Sequence, residues 1–385
     1  MGRYEVIIVG SGPAGIFAAL ELTRATRPLR VLIMEKGPDL EQRSCPSQED
    51  GVPCRRCRPC ATVSGWGGAG AFSDGKLTLS PEVGGMLDEF VDRGFLQDLI
   101  DYVDRVYLYF GAPPEVYGGD GAGALDEIQR RALAADLKLV PAPIRHLGTG
   151  RTREVLRRMQ RALLDKGVAI RTRTPAEAIL VSEDRVEGVV TAGGEVLRAD
   201  YVVVAPGREG SAWLTEEARR LGLGTAVNPV DIGVRVDVPA TVMEHLTRAT
   251  YEAKLVFYSP TFDDKVRTFC MNPYGEVVKE NNEGVVTVNG HSYSDRRTAN
   301  TNFALLVSKT FTEPFRDPIA YGKYVASLAN LLGGGVLVQR LGDLMAGRRS
   351  TWERLEKGLA APTLRDATPG DLSLVFPYRH LTSLM

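Results

Sequence analysis

The first residues of the chain alternate between apolar runs and a glycine-rich turn. Residues 6–9 and 31–34 are uninterrupted apolar runs, which predict buried strands. Between them, residues 14–26 carry apolar side chains at the spacing of a helix. A strand, a helix and a second strand in this order predict a βαβ unit whose strands pair in parallel.

The pattern changes along the rest of the chain. Residues 44–76 lose their periodicity and are rich in Cys, Pro and Gly, which is typical of a functional irregular segment. Residues 87–138 are predicted to be mostly helical, with a break at 111–123, and residues 153–166 form a further amphipathic helix. Short strands are predicted at 168–171, 179–182, 186–191, 196–198, 201–205, 232–236, 255–258, 266–271 and 285–288, and a last helix at 318–332.

Charge and hydropathy exclude several classes of partner. The 385 residues carry 47 Lys and Arg against 48 Asp and Glu, so no global positive field attracts nucleic acid or anionic lipid. No apolar run approaches the ~18 residues that span a bilayer, and the chain enters its first strand too soon for a signal peptide. We therefore expect a soluble, cytoplasmic protein that binds neither nucleic acid nor membrane.

A complete G-x-G-x-x-G motif lies between the first predicted strand and helix, at Gly10-Ser11-Gly12-Pro13-Ala14-Gly15. Gly10 permits the tight turn, Gly12 lets a diphosphate approach the backbone, and Gly15 lets the helix pack against the strand. Pro13 and Ala14 belong to the helix start, whose free N–H groups and dipole favour phosphate. The motif predicts a dinucleotide site, with a purely structural glycine turn as the alternative.

Glu35 closes the second predicted strand, 20 residues after Gly15. A carboxylate at this position accepts hydrogen bonds from both hydroxyls of an adenosine ribose and repels a 2′-phosphate. The chemistry of the motif leaves FAD and NAD open as the dinucleotide.

Two stretches resemble the glutathione-reductase-type flavoproteins. The first is residues 6–15 together with Glu35-Lys36, and the second is residues 199–207, a strand that ends in the turn glycine Gly207. The resemblance implies FAD as the cofactor and assigns Lys36 and Gly207 to its binding site.

Three further stretches narrow the resemblance: residues 65–76, residues 268–275, and residues 289–292 with 300–303. Together they resemble a family of bacterial and archaeal FAD-dependent dehydrogenases whose substrates are mostly unassigned. Such flavoproteins carry a strand followed by Gly-Asp near the carboxyl end. Leu341-Gly342-Asp343 lacks the following glycine turn and Gly370-Asp371 lacks a predicted strand before it, so we expect a chain shorter than its relatives.

The resemblance and the patterns together predict an α/β fold with two domains. A discontinuous, Rossmann-like FAD-binding domain comprises residues 1–80 and 140–225, with 340–385 as a candidate third segment. A helical insert covers residues 81–139, and a second, sheet-rich domain covers residues 226–339 as the substrate or cap domain.

The glycine-rich segment after residue 64 is predicted to line the flavin ring. Five glycines fall within eleven positions between Gly65 and Gly75, a density typical of backbone that touches a flat ligand. Lys76 would add positive charge near the N1–C2 edge of the flavin. A flexible surface loop is the alternative. The residues assigned to the flavin here are Gly67, Gly68, Ala69, Gly70, Ser73 and Lys76.

Four cysteines form a C-x8-C-x2-C-x2-C cluster at Cys45, Cys54, Cys57 and Cys60. Thiolate-only ligation suits a [4Fe–4S] cluster or zinc, and redox thiols are the third interpretation. Because the cluster precedes the flavin segment, an iron–sulfur centre there would exchange single electrons with FAD.

Polar side chains concentrate around a predicted strand end in the second domain, at Asn289, His291, Tyr293, Asn300 and Asn302. We assign His291 and Tyr293 as candidate catalytic residues, with His291 moving a proton while hydride moves to or from flavin N5. Turn and capping roles are the alternative.

The function expected from these features is an FAD-dependent oxidoreductase that transfers hydride between flavin N5 and a small organic substrate. An electron-carrier protein or a transiently bound NAD(P)H are candidate partners, because only one G-x-G-x-x-G is present. The alternatives are an NAD-using enzyme at the same site and a non-catalytic nucleotide- or metal-binding scaffold. A tRNA-modifying flavoprotein is disfavoured by the near-zero net charge.

Overall fold

A computed structural model describes residues 3–49, 52, 55, 57–119, 122–282, 284–293, 296–312, 314–315 and 317–385. The chain forms two compact units. Unit 1 comprises Met1–Gly75, Phe110–Ala112 and Thr149–Ala226, and unit 2 comprises Lys76–Tyr109, Pro113–Gly148 and Val227–Met385. The domain limits predicted from the sequence stay a prediction.

Strands and helices alternate over the described residues. The strands are β1 (Tyr4–Val9), β2 (Val31–Met34), β3 (Lys76–Thr78), β4 (Val116–Tyr117), β5 (Lys138–Val140), β6 (Ile144–His146), β7 (Ala169–Arg171), β8 (Ala176–Ser182), β9 (Arg185–Thr191), β10 (Val196–Val204), β11 (Val230–Pro239), β12 (Lys254–Tyr258), β13 (Lys265–Asn272), β14 (Glu276–Asn282), β15 (Val285–His291), β16 (Asn300–Lys309), β17 (Leu337–Val338) and β18 (Thr368–Pro369). The helices are α1 (Pro13–Leu22), α2 (Pro46–Glu49), α3 (Arg93–Tyr109), α4 (Ala122–Ala134), α5 (Thr149–Asp165), α6 (Ser211–Arg220), α7 (Ala240–Thr250), α8 (Pro318–Gly333), α9 (Leu341–Met345), α10 (Trp352–Glu356) and α11 (Tyr378–Leu384).

Unit 1 is built on a sheet with strand order β7-β2-β1-β10-β9-β8. β1 pairs in parallel with both β2 and β10, and β2 pairs in parallel with β7. Ile7, Ile8, Leu32 and Ile33 are fully buried, which explains the uninterrupted apolar runs, because a parallel sheet is covered on both faces. The predicted βαβ unit is confirmed, and with it the Rossmann-like fold class.

β10 is one continuous strand where the sequence predicts two. Its first half pairs antiparallel with β9, as in Arg198↔Gly188, and its second half pairs in parallel with β1, beginning at Tyr4↔Ala199. The polar residues Arg198 and Asp200 interrupt the apolar pattern at this change of partner, and Asp200 forms an ion pair with Arg3 at 2.6 Å. The charged residues therefore do not end β10 at the point where its pairing changes from β9 to β1.

Unit 2 contains an antiparallel sheet with strand order β11-β16-β13-β12-β5 and a separate β14–β15 hairpin. β11 and β16 pair along their whole length, from Val230↔Lys309 to Pro239↔Asn300. β14 and β16 were not predicted as strands from the sequence. β16 begins with the buried polar residues Asn300, Thr301 and Asn302, so it lacks the apolar alternation on which strand prediction depends.

Two short strands occur in the carboxyl-terminal part of unit 2. β17 pairs in parallel with β18, which directly precedes Gly370-Asp371. The expectation that no strand precedes this Gly-Asp pair is therefore wrong, because a two-residue strand is too short to show periodicity. Among the described residues, none of the helices has the length and apolar character required to cross a membrane.

Asp264 attaches helix α11 to the sheet of unit 2. Its carboxylate accepts hydrogen bonds from Arg379 at 2.8 and 3.0 Å, from Ser383 at 3.2 Å and from Lys309. The bonds from Arg379, reinforced by Lys309, hold the pKa of this carboxyl well below its usual range. The ionised carboxylate therefore stabilises the folded state.

We expect Asp264→Asn to lower the free energy of unfolding by about 2 kcal/mol, because Lys309 and Arg379 lose their shared carboxylate. Since the folded pKa is depressed, this stability is present above the unfolded pKa of ~3.9 and is lost as the pH falls below it. Urea denaturation between neutral pH and pH ~3 measures both effects.

Asp366→Asn is the matched control, because Asp366 pairs with Lys279 while its side chain remains 48% exposed. It should cost less than about 1 kcal/mol. Equal losses in the two variants would contradict a special role for Asp264.

Candidate functional site

Two glycines of the G-x-G-x-x-G turn pack so closely against the backbone that no side chain would fit. Gly10 has a φ of +103°, and a Cβ there would overlap the carbonyl oxygen of Ala205 on the strand side. A Cβ on Gly15 would overlap the carbonyl oxygen of Gly10. These two glycines are therefore fixed by contacts within unit 1, whether or not a ligand is bound.

Gly12 differs from its two neighbours because nothing fills the space beside it. It is the N-cap of α1 in an extended conformation and supplies no side-chain cap, and no atom lies within 4 Å of a Cβ placed on it. Pro13 and Ala14 are exposed. The N–H groups of the first helical turn therefore face open space, which fits a diphosphate at the positive end of the helix dipole.

Glu35 is buried and makes its hydrogen bonds to the chain itself. One carboxylate oxygen accepts from the backbone N–H and Oγ of Ser11 at 3.0 and 2.8 Å. The other accepts from the backbone N–H groups of Gly37 and Gly65 at 2.8 and 3.0 Å. All four acceptor positions of the carboxylate thus have partners within unit 1. Contact with a ribose stays a prediction, and the structure gives Glu35 a bracing role that the sequence did not indicate.

Arg43, directly before the irregular segment, is a second buried charge beside Glu35. It is 1% exposed and donates to the carbonyl oxygens of Ala61, Thr62, Trp66 and Gly68 at 2.7–3.1 Å. Burial lowers the pKa of its guanidinium to about 10, so it stays charged at neutral pH. The sequence did not single out Arg43, because no periodicity marks a buried residue in a loop.

The glycine-rich segment lies directly on the G-x-G-x-x-G turn. The N–H of Gly67 donates to the carbonyl of Ser11 at 2.9 Å, and a Cβ on Gly68 would lie 3.0 Å from the Cα of Gly12. Gly70 is near Pro13, and Ser73 Oγ bonds the carbonyl of Gly70 at 2.9 Å. Ala69, between these glycines, is exposed. The structure therefore brings the two predicted glycine motifs together within unit 1.

Lys36 and Gly207, which the sequence also assigns to the cofactor, both lie in unit 1. Lys36 pairs with Glu209, with Nζ 3.2 Å from its carboxylate and 3.1 Å from its carbonyl. Gly207 follows β10 with a φ of +65°, and a Cβ there would meet no atom within 4 Å. Lys36 thus ties the end of β2 to the segment after β10, and Gly207 leaves open space beside it.

Lys76 belongs to unit 2, where it forms a charged triad. Its Nζ lies 2.8 Å from Glu252, which also pairs with Lys254. Burial opposes the charge of Glu252, yet the two lysines outweigh burial and hold its pKa at about 2. The positive charge assigned to the flavin edge is therefore balanced by a carboxylate in this structure.

The two candidate catalytic residues are neighbours in unit 2. His291 is buried at the end of β15, and its ring lies 6.2 Å from that of Tyr293. Tyr293 donates a hydrogen bond to Glu276 at 2.7 Å. Burial and this bond raise the pKa of Tyr293 to about 12, so the phenol stays protonated. Their catalytic roles stay predictions.

Asn289 and Asn302 also lie together in unit 2, in a cluster whose centre the sequence did not identify. Arg235 donates to Asn302 Oδ1 at 2.8 Å, and the Sγ of Cys270 lies 3.8 Å from Asn289 Oδ1. Asn300 instead donates to the carbonyl of Ala361 at 2.9 Å. Arg235 lies on β11, remote in sequence from these stretches, so only the sheet pairing brings it to them.

The four-cysteine cluster is described only in part. Cys54 lies outside the described residues, Cys57 is exposed, and Cys60 Sγ lies 3.0 Å from Thr62 Oγ1. Within the described part of the chain, no group of three or more His, Cys, Asp and Glu side chains could hold a metal ion. Metal binding by Cys45, Cys54, Cys57 and Cys60 therefore stays a prediction.

The contribution of Glu35 to stability can be tested on protein from which the nucleotide has been removed. We expect Glu35→Gln to lower the free energy of unfolding by about 2 kcal/mol, because the new amide NH2 cannot accept bonds from Ser11 or from Gly37 and Gly65. Thermal and urea unfolding of the apoprotein measure the change.

Glu41→Gln is the control, because Glu41 pairs with Arg157 while its side chain is 62% exposed; it should cost less than about 1 kcal/mol. If Glu35→Gln alters nucleotide affinity but leaves the apoprotein as stable as the wild type, Glu35 acts only as a ligand residue.

Three family models match the chain. The model described as "FAD binding domain" matches residues 5–48, that described as "FAD dependent oxidoreductase" matches residues 121–304, and that described as "FAD-dependent protein, C-terminal domain-like" matches residues 229–384. The first match contains the G-x-G-x-x-G turn and Glu35, and the other two contain the Arg235 cluster.

A curated relative and several solved structures are also similar to the chain. An uncharacterized protein of Clostridium beijerinckii is 28% identical over 363 residues, which is 90% of this chain and 60% of that protein. The chain thus spans about three fifths of the length of this relative.

The L-amino acid deaminase from Proteus vulgaris is 14% identical, with 85% of this chain and 66% of that chain covered and a TM-score of 0.40. NikD, an unusual amino acid oxidase essential for nikkomycin biosynthesis, is 13% identical, with 80% and 71% covered and a TM-score of 0.39. Likeness at this level says nothing about the substrate of this chain. The matched family models show that the chain is similar to FAD-binding domains over residues 5–48 and to FAD-dependent oxidoreductases over residues 121–304.

Proposed function

We propose that the chain is an FAD-dependent oxidoreductase that transfers hydride between flavin N5 and a small organic substrate. The observation that carries the proposal is the start of α1, where Gly12 leaves the first-turn N–H groups uncapped and facing open space. The family matches at residues 5–48 and 121–304 support FAD rather than NAD as the dinucleotide.

The residues of unit 1 have distinct tasks in this function. The first turn of α1 binds the diphosphate through its N–H groups and dipole. Glu35 and Arg43 hold the glycine-rich segment on that turn, which fixes the backbone that the sequence assigns to the flavin. When bound, FAD supplies an acceptor and donor of hydride.

Proton transfer is assigned to unit 2. Tyr293 has a pKa raised to about 12 by burial and by its bond to Glu276, so it acts as a hydrogen-bond donor rather than a base. His291 is the better candidate to accept or release the substrate proton, because an imidazole carries both a proton-donating and a proton-accepting nitrogen. Both assignments are part of the proposal.

Electrons that do not come from the substrate need another source. We propose a [4Fe–4S] cluster at Cys45, Cys54, Cys57 and Cys60 as this source, supported by the thiolate spacing alone. A zinc ion at the same thiolates is the alternative, and it would be structural because zinc carries no electrons. A protein electron carrier or transiently bound NAD(P)H are the alternatives, supported by the single dinucleotide motif.

An absorption spectrum and metal analysis of protein purified without oxygen test these proposals together. We expect a flavin absorption band, FAD as the nucleotide released on denaturation, and bleaching of the band under an anaerobic reductant. Protein that releases NAD, or that binds no dinucleotide when supplied with FAD, would refute the assignment. Iron with sulfide, or zinc, in the same sample decides the chemistry of the cysteines.

Substitution of Gly12 tests the diphosphate site. The φ of −71° at Gly12 suits alanine, and the added methyl group meets no protein atom, so Gly12→Ala should fold with an unchanged melting temperature. Its methyl group occupies the space proposed for the diphosphate, so we expect the affinity for FAD to fall at least about tenfold. Fluorescence titration of the apoprotein with FAD measures the affinity.

Two other glycine substitutions are the controls for Gly12→Ala. Gly224→Ala adds a methyl group to an exposed loop with open space around it and should change neither property. Gly10→Ala should destabilise unit 1 itself, because its Cβ overlaps the carbonyl of Ala205. FAD binding by Gly12→Ala that equals the wild type would exclude this turn as the site.

A further inference from the structure

Residues 268–275, 289–292 and 300–303, which carry part of the family resemblance, meet at one side chain of unit 2. Arg235 on β11 donates through Nε to Asn302 Oδ1 at 2.8 Å, and through Nη2 to the carbonyl of Cys270 at 2.7 Å and to Asn272 Oδ1. Gly290, on β15, lies against the same group, because a Cβ there would overlap Arg235 Nη2 and Asn302 Oδ1. The residues at 268–275, 289–292 and 300–303 thus surround one guanidinium.

The charge of Arg235 has no carboxylate partner in the described part of the chain. Its side-chain bonds go to neutral acceptors, and no described carboxylate oxygen lies within 4.0 Å of it. Two acidic side chains of the same sheet region have other partners. Asp237 accepts from the N–H and Oγ1 of Thr363 at 2.8 and 2.7 Å, and Glu252 is shared by two lysines. A half-buried cation without a counter-ion is costly unless an anion binds it.

Asn302 supplies a second, independent signal. The residue is fully buried, and its Nδ2 has no hydrogen-bond partner among the described residues. A buried amide NH2 without an acceptor costs about 1–3 kcal/mol. Because the Oδ1 of the same amide bonds Arg235, the unsatisfied donor belongs to the same cluster.

Two donors at this place lack an acceptor among the described residues, Asn302 Nδ2 and Arg235 Nη1, because the contacts of the guanidinium use Nε and Nη2. One acceptor, the buried Oδ1 of Asp237, likewise has no partner among them. A guanidinium edge beside an amide NH2 matches an acceptor with two or more anionic oxygens. Asp237, the cross-strand partner of Asn302, adds negative charge nearby and limits the affinity for highly charged anions.

We propose that Arg235 and Asn302 form a binding site for an anionic oxygen group, a carboxylate or a phosphate, carried by a small ligand of unit 2. The site stands on the contacts within unit 2 and does not depend on flavin binding. If the oxidoreductase function also holds, the substrate class is an organic acid or a phosphorylated compound.

Cys270 is a built-in reporter of this site. Its Sγ lies 3.9 Å from Arg235 Nη2 and 3.9 Å from Lys76 Nζ. An anion on Arg235 shields the thiol and adds negative charge beside it, which lowers its reactivity toward alkylation. Free glutathione in a parallel reaction serves as the reference thiol, because the other four cysteines of the chain are the proposed metal ligands.

The test measures the rate at which neutral iodoacetamide alkylates Cys270 in the full chain as purified, followed by peptide mass spectrometry at constant ionic strength. The probes are sodium acetate, inorganic phosphate and, as the uncharged match of acetate, acetamide. We expect acetate or phosphate to slow labelling of Cys270 at least about threefold and saturably, with the labelling rate of glutathione unchanged and acetamide inactive. The anion that acts identifies the group as carboxylate or phosphate.

Two arginine variants make the test specific, each compared with and without the anion. Arg235→Gln should abolish the protection. Arg267→Gln should keep it, because Arg267, on β13 of the same sheet, pairs with Asp231 at 2.5 Å. If Arg235→Gln fails to fold by circular dichroism, Arg235→Lys takes its place; it keeps the charge but loses the forked donors, and should weaken protection at least about threefold.

Three results would overturn the proposal. They are an unchanged labelling rate with both anions, equal protection by acetamide, and protection that is undiminished in the Arg235 variants. Slowing of glutathione labelling to the same extent would likewise show a general effect of the salt and refute the site. None of these outcomes bears on FAD binding, which the Gly12 variants test separately.

Discussion

The glycine-rich segment stays on the dinucleotide turn because two buried charges of opposite sign hold its backbone. Glu35 accepts hydrogen bonds from the N–H groups of Ser11 in the turn, of Gly37 and of Gly65 at the start of the segment. Arg43 donates to carbonyl oxygens of the segment. A loop without a hydrophobic periodicity gains little from packing, so its order depends on these hydrogen bonds. Removal of either charge leaves several buried backbone groups without a partner.

The hydrogen bonds of Glu35 and Arg43 leave the start of α1 free for a ligand. Gly10 and Gly15 are required by contacts inside unit 1, whereas Gly12 is required by nothing in the chain. A side chain at Gly12 would project into the space at the start of α1 in which a diphosphate would bind. The open turn and the braced segment together form a rigid frame, which lowers the entropy cost of binding a long dinucleotide.

Most of the buried cations discussed in unit 2 have carboxylate partners, but Arg235 has none among the described residues. In the Lys76–Glu252–Lys254 triad and in the attachment of α11 through Asp264, every cation has a carboxylate partner within the chain, although two cations share each carboxylate. Arg235 is not balanced in this way, and it lies where the β14–β15 hairpin meets the sheet. Backbone N–H and C=O groups satisfy each other in a sheet, so an unsatisfied side-chain donor such as Asn302 Nδ2 stands out.

The sequence by itself determined the βαβ unit, the glycine turn and most strands of unit 1, because apolar periodicity and glycine geometry are local properties. It also singled out Glu35, Asn289, His291 and Asn302 as polar residues at element ends. Only the tertiary structure decided that β10 is one strand with two partners, that Arg43 and Ser11 engage the glycine-rich segment and Glu35, and that Arg235 joins the asparagines. Each of these depends on contacts between residues far apart in the chain, and no local pattern encodes the partner of a buried charge.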